Sequence, residues 1–223
     1  MNGIKAKLAD ILAFPAKTYE KLTDKRASLV AGIVLVGLID FLLPDVMYVI
    51  KEFFLGKSAA DIAYNAGMSV VVLLLLGLID VIFVSVPLFD FFRYIKRKEL
   101  QLAKENGMSG DDLTEGLQPS AIKVMKIYIM SHFIIIPVST AYYYAITKNM
   151  TENSTPLMQN IALLLFMVIL IWSAAIMARG INVLFCFNTV FKRLTFITVF
   201  TWNFLFGMVF DVMIMGWLMR LFR

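Results

Sequence analysis

Apolar residues gather into five long, nearly unbroken runs, at about 27–50, 68–93, 122–146, 157–187 and 194–222, separated by shorter polar stretches. Each matches or exceeds the ~20 residues a helix needs to cross the hydrocarbon core of a bilayer. None shows the period-two alternation of a barrel strand, and a backbone in lipid must satisfy its own hydrogen bonds, so the runs predict helices. The expected fold is an all-α polytopic membrane protein, a bundle of five transmembrane helices over 27–223 preceded by short amphipathic helices in 1–26. There Ile4, Leu8, Ile11 and Leu12 recur at helical spacing with Lys5 and Lys7 between them, the pattern of a basic helix lying on a membrane surface. Pro15 suits the first turn of a second short helix through Tyr19 and Leu22. The first apolar run lacks a small-residue cleavage pattern and reads as a retained anchor.

Composition agrees: 60% of the 223 residues are hydrophobic and 17% charged, too apolar for a soluble domain and the opposite of a disordered one. The single cysteine, Cys186, cannot form an internal disulfide. The net charge of +5 reads as topology and not as nucleic-acid binding. Of the 21 Lys and Arg, 16 fall on one side of a five-span arrangement. The positive-inside bias then predicts a cytoplasmic N-terminus and an outer C-terminus, in the plasma membrane if the source is prokaryotic.

Ionisable groups inside the apolar runs carry the candidate chemistry, because each costs ~2.5 to 3.5 kcal/mol to place in hydrocarbon. Asp40 and Asp80 close the same tetrapeptide, Gly37-Leu-Ile-Asp40 and Gly77-Leu-Ile-Asp80, at similar depth on neighbouring helices of opposite direction. With His132 and Asp211 they form a candidate intramembrane polar cluster. Three readings stay open: protonated carboxyls acting as helix-packing glue, a proton or cation pathway, and simple exposure at the end of a tilted span. Asp90 and Arg179, at the predicted cytoplasmic ends of runs two and four, are a candidate ion pair. The residue before each Asp is Ile, not the Gly of intramembrane aspartyl proteases. The sequence has no phosphate-binding Gly-Lys loop, His-Glu-x-x-His or Gly-x-Ser-x-Gly signature, and one His and one Cys make a poor metal site. A non-enzymatic protein without cofactor or metal is expected.

Phe14-Pro15-Ala16-Lys17-Thr18-Tyr19-Glu20-Lys21-Leu22 leads directly into an apolar span. Ser120 to Tyr128 leads into an apolar stretch that reaches Pro137, and Ile171-Trp172-Ser173 is followed by Arg179-Gly180-Ile181 and the basic Phe191-Lys192-Arg193. These passages resemble the Yip family, five-span membrane proteins named for interaction with Ypt/Rab GTPases, with Pro15, Tyr19, Pro137, Trp172 and Gly180 as the motif residues. The loop Asn106-Gly107-Met108-Ser109-Gly110 lacks the family's paired glycines, and a long acidic cytosolic N-terminal region is missing. The resemblance therefore implies a divergent, prokaryotic member, and some such relatives resemble accessory subunits of export transporters. Arg93, Lys96, Arg97 and Lys98 offer a cytoplasmic surface for anionic lipid or an acidic membrane-protein partner. The expected function is a scaffold or accessory subunit in trafficking or transporter assembly. The alternative is a small proton, cation or solute transporter or channel using the midplane carboxylates.

Overall fold

The computed structural model describes residues 10, 14–41, 59–106, 119–147, 150 and 155–209. Among them the regular structure is helical throughout: α1 (Ala16–Glu20), α2 (Arg26–Phe41), α3 (Ala59–Glu105), α4 (Ala121–Ala145), α5 (Pro156–Phe185) and α6 (Thr189–Val209). Three of the helices are long and apolar enough to cross a membrane: α3 over Leu73–Glu105, α4 and α5. Such helices mark an integral membrane protein. The expected first span enters α2 and continues into 42–50, and the expected fifth continues past α6 to 222. Both continuations lie outside the described residues, as does most of the expected amphipathic helix at 4–12.

The helix starts follow local chemistry. Ser120 takes the extended N-cap conformation before α4 and accepts the Lys123 amide at 3.4 Å. Thr155 does the same for Met158, with Pro156 as the first helical residue, where its missing N–H costs nothing. Cys186 ends α5 in the left-handed conformation, φ 48°, and only Phe187 and Asn188 intervene before α6, so α5 and α6 run antiparallel. Phe14, with φ 62°, turns the chain sharply ahead of Pro15 and α1.

α3, α4, α5 and α6 form a closed ring of neighbours, α2 lies in the groove between α3 and α4, and α1 rests on α5. The core sits toward the end carrying α1. There Val84, Leu88 and Phe92 of α3 meet Val124 and Ile127 of α4, Met177 and Ile181 of α5, and Tyr19 of α1. The outward faces remain apolar: Val70, Leu74, Phe83, Leu157, Leu164 and Val168 are all exposed, the inverse of a soluble surface and the arrangement a lipid environment favours.

The two Gly-Leu-Ile-Asp tetrapeptides meet at the contact between α2 and α3. A Cβ on Gly77 would lie 2.6 Å from the Gly37 nitrogen and 2.8 Å from its Cα, and a Cβ on Gly37 would collide with the Leu73 carbonyl. The backbones touch there, which only glycine on both helices permits.

Candidate functional site

Asp80 is 5% exposed on α3, one helical turn beyond the glycine crossing. Its Oδ2 accepts a hydrogen bond from the Tyr128 hydroxyl of α4 at 2.7 Å. The ring of His132, one turn further along α4 and half-buried, lies 5.5 Å from that of Tyr128. Two of the four expected cluster residues, Asp80 and His132, thus flank a tyrosine that sequence pattern did not single out. Asp40 belongs to the last turn of α2, but its side chain lies outside the described residues, as does Asp211 entirely.

At the other end of the core, a set of polar contacts ties the helix ends together. Lys126, 7% exposed near the start of α4, donates to the carbonyls of Thr23 at 2.5 Å and Lys25 at 3.0 Å. The Ser120 hydroxyl bonds to Asp24, and Lys123 lies 3.9 Å from the same carboxylate. Lys96 donates to Glu99 at 2.8 Å and to the Cys186 carbonyl at 3.1 Å, while the Glu99 carboxylate accepts the Asn188 amide at 2.9 Å. Lys96 also sits over the Phe187 ring. The Lys96–Glu99 pair therefore clamps the turn between α5 and α6, and Lys96 belongs to this internal contact and not to an open surface. Arg93, Arg97 and Lys98 are exposed, and Lys98 lies 5.9 Å from the Tyr94 ring.

Arg179 forms its ion pair with Asp10. Asp90, the partner expected from the sequence, is exposed on α3. Asp10 thus takes the place expected of Asp90, meeting the guanidinium from 169 residues away on the helix that α1 rests on.

The motif residues fall into two groups. Tyr19 and Gly180 meet: Tyr19 is fully buried, its hydroxyl donates to the Ile176 carbonyl at 3.2 Å, and a Cβ on Gly180 would lie 2.8 Å from both the Tyr19 ring and Ile127. Pro15 precedes α1 with φ −59°, and the Phe14 ring packs edge-on against Tyr19. Burial pushes the Tyr19 hydroxyl up to about 12, with the Arg179 charge pulling it partly back. Pro137, exposed within α4, and half-buried Trp172 of α5 lie apart from this contact.

Between α1, the end of α5 and the start of α6 lies an open groove of about 790 Å³, lined by Glu20, Arg179, Asn182 and Lys192 together with apolar Val183, Phe187 and Phe196. The sequence shows these residues only as scattered charges near span ends, and their convergence depends on α1 docking on α5. No family model matches the chain, and neither a curated protein nor a solved structure is similar to it.

Proposed function

We propose that this chain is a non-enzymatic integral membrane scaffold or accessory subunit, a divergent Yip-family protein with a cytoplasmic docking surface formed by the end of α3. The observation that carries the reading is the length of α3. Its 47 residues extend ~70 Å, more than twice the ~30 Å of hydrocarbon it has to cross. Arg93 to Glu105 thus continues ~18 Å past the expected end of the span. Along this extension the inner face is held by Phe92 and Glu99, while Arg93, Tyr94, Arg97 and Lys98 are exposed. A rigid helix with cations and an aromatic ring on its exposed face suits an acidic protein partner. The resemblance of Pro15, Tyr19 and Gly180 to the family's motif supports the same reading, because Tyr19 and Gly180, distant in sequence, build one contact.

The test is gentle extraction of the native complex followed by mass spectrometry of stoichiometric partners, for the wild type and for a triple variant, Arg93→Glu, Arg97→Glu and Lys98→Glu. Loss of a partner by the variant, with the bundle's melting temperature unchanged, is the expected result. An identical partner profile overturns the docking surface. Lys96 is left intact because its charge holds the α5–α6 turn.

A further inference from the structure

The groove beside α1 contains unsatisfied polar atoms of both kinds. Arg179 Nε, a donor, and Asn182 Oδ1, an acceptor, are buried with no hydrogen-bond partner among the described residues. The Asn182 amide nitrogen already donates to the Lys192 carbonyl at 3.3 Å, which fixes the oxygen as the free acceptor. Both residues line the same groove, with exposed Lys192 and Glu20 at its rim. The Asp10 carboxylate offsets much of the Arg179 charge, and Glu20 balances Lys192, so the site is not simply cationic. It suits a head that carries both charges and both accepts and donates hydrogen bonds.

Chain placement supplies the rest. The groove lies where α5 ends and α6 begins, at the boundary between apolar helix and polar connection. Val183, Phe187 and Phe196 form its apolar wall, and Ile171, Val168 and Leu164 continue an exposed apolar surface along the α5 face that carries Ala175 and Asn182. A volume of about 790 Å³ falls in the range of small-molecule sites and admits a phospholipid head and glycerol, with the acyl chains outside along α5.

We propose that this groove binds one phospholipid with a phosphoethanolamine head. The phosphate accepts from Arg179 Nε–H and the Lys192 ammonium, while the lipid ammonium donates to Asn182 Oδ1 and faces the Glu20 carboxylate. A choline head has no N–H for Asn182. A glycerol head carries no cation for Glu20 and makes the lipid anionic beside two carboxylates.

The test is native mass spectrometry of the full-length protein in detergent, titrated in parallel with phosphatidylethanolamine, phosphatidylglycerol and phosphatidylcholine of identical acyl chains. The expected result is one ethanolamine lipid retained roughly tenfold more strongly than either competitor, since two charge-assisted contacts distinguish it. Lys192→Gln is expected to weaken the ethanolamine and glycerol lipids alike by roughly threefold, and Glu20→Gln to weaken the ethanolamine lipid alone by a similar factor. Both residues are exposed, so the variants are expected to melt as the wild type does in lipid-free detergent. Equal retention of the three lipids overturns the proposal, as does wild-type binding by both variants. Equally effective competition by soluble glycerophosphoethanolamine overturns a lipid as the occupant.

Discussion

The Tyr128 hydroxyl held by Asp80 is where a costly intramembrane acid finds a specific use. The hydrogen bond joins α3 to α4 at 2.7 Å inside the helix contact, which favours the packing reading of this carboxyl over exposure at a span end. Asp80→Asn keeps an oxygen for the tyrosine, so it is expected to change stability by under ~1 kcal/mol. Asp80→Leu strands the hydroxyl and is expected to cost ~1 to 3 kcal/mol. Thermal unfolding in detergent separates the two. Retained stability together with an abolished proton or cation flux in Asp80→Asn liposomes would instead favour the transporter reading over the scaffold. Tyr19 supplies a pH signature. Its folded-state pKa is raised from 10.0 to about 12, so the folded protein holds this proton more tightly than the unfolded chain. The contribution is complete below pH 10 and is lost as pH rises from there toward 12. Tyr19→Phe removes that ionisation, and across this window its stability is expected to fall less steeply than the wild type's. Parallel slopes for the two proteins would count against a buried Tyr19 hydroxyl.

At the scale of helices, the repeated Gly-Leu-Ile-Asp invites attention to its acids, yet the structure assigns the repeat's glycines an equally definite role at the α2–α3 crossing. Gly37→Ala and Gly77→Ala each insert a methyl group into a backbone contact, against the Leu73 carbonyl in one case and the Gly37 backbone in the other. Each is expected to cost ~1 to 3 kcal/mol through forced separation of the helices. Gly207→Ala, where a Cβ meets nothing within 4 Å, is the control and is expected to be neutral or slightly stabilising. Equal melting of all three variants would remove the crossing as a stabilising contact. The apolar runs made α3, α4 and α5 legible because a continuous run of more than 20 residues in lipid has little alternative to a helix. The short helix after Pro15 was legible too, since proline and the Tyr19–Leu22 spacing mark a helix start. Contacts between side chains distant in sequence were not. Nothing local reveals that Lys96 reaches the Cys186 carbonyl, that Lys126 satisfies carbonyls 101 and 103 residues away, or that Arg179 meets Asp10 instead of Asp90. Charge patterning shows which residues are ionisable, whereas the partner each one takes depends on how the helices dock.

For the whole molecule, the scaffold reading depends on orientation, because the α3 extension can meet a cytoplasmic partner only if that end of the bundle faces the cytoplasm. Under the five-span arrangement expected from the sequence, 16 of the 21 Lys and Arg fall on the side of the N-terminus, the loop after α3 and the α5–α6 turn, which favours that orientation. The structure brings the end of α3, the α5–α6 turn and α1 together: Lys96 and Glu99 contact the α5–α6 turn, and α1 packs on the end of α5. Cys186, the chain's single cysteine and an exposed residue of that turn, is a built-in reporter of its side. In intact cells a membrane-impermeant maleimide is expected to leave Cys186 unmodified, and to label it once the membrane is permeabilised. In a Cys186→Ser background, Asn149→Cys, in the loop expected on the outer side, is expected to react without permeabilisation. A tag placed after Arg223 is expected to be accessible from outside under the five-span arrangement expected from the sequence, in which the two termini lie on opposite faces. Labelling of Cys186 in intact cells would invert the bundle, place Arg93, Arg97 and Lys98 outside, and remove the cytoplasmic docking surface. A C-terminal tag protected on the same side as Cys186 would leave that surface in place but reduce the span count to an even number.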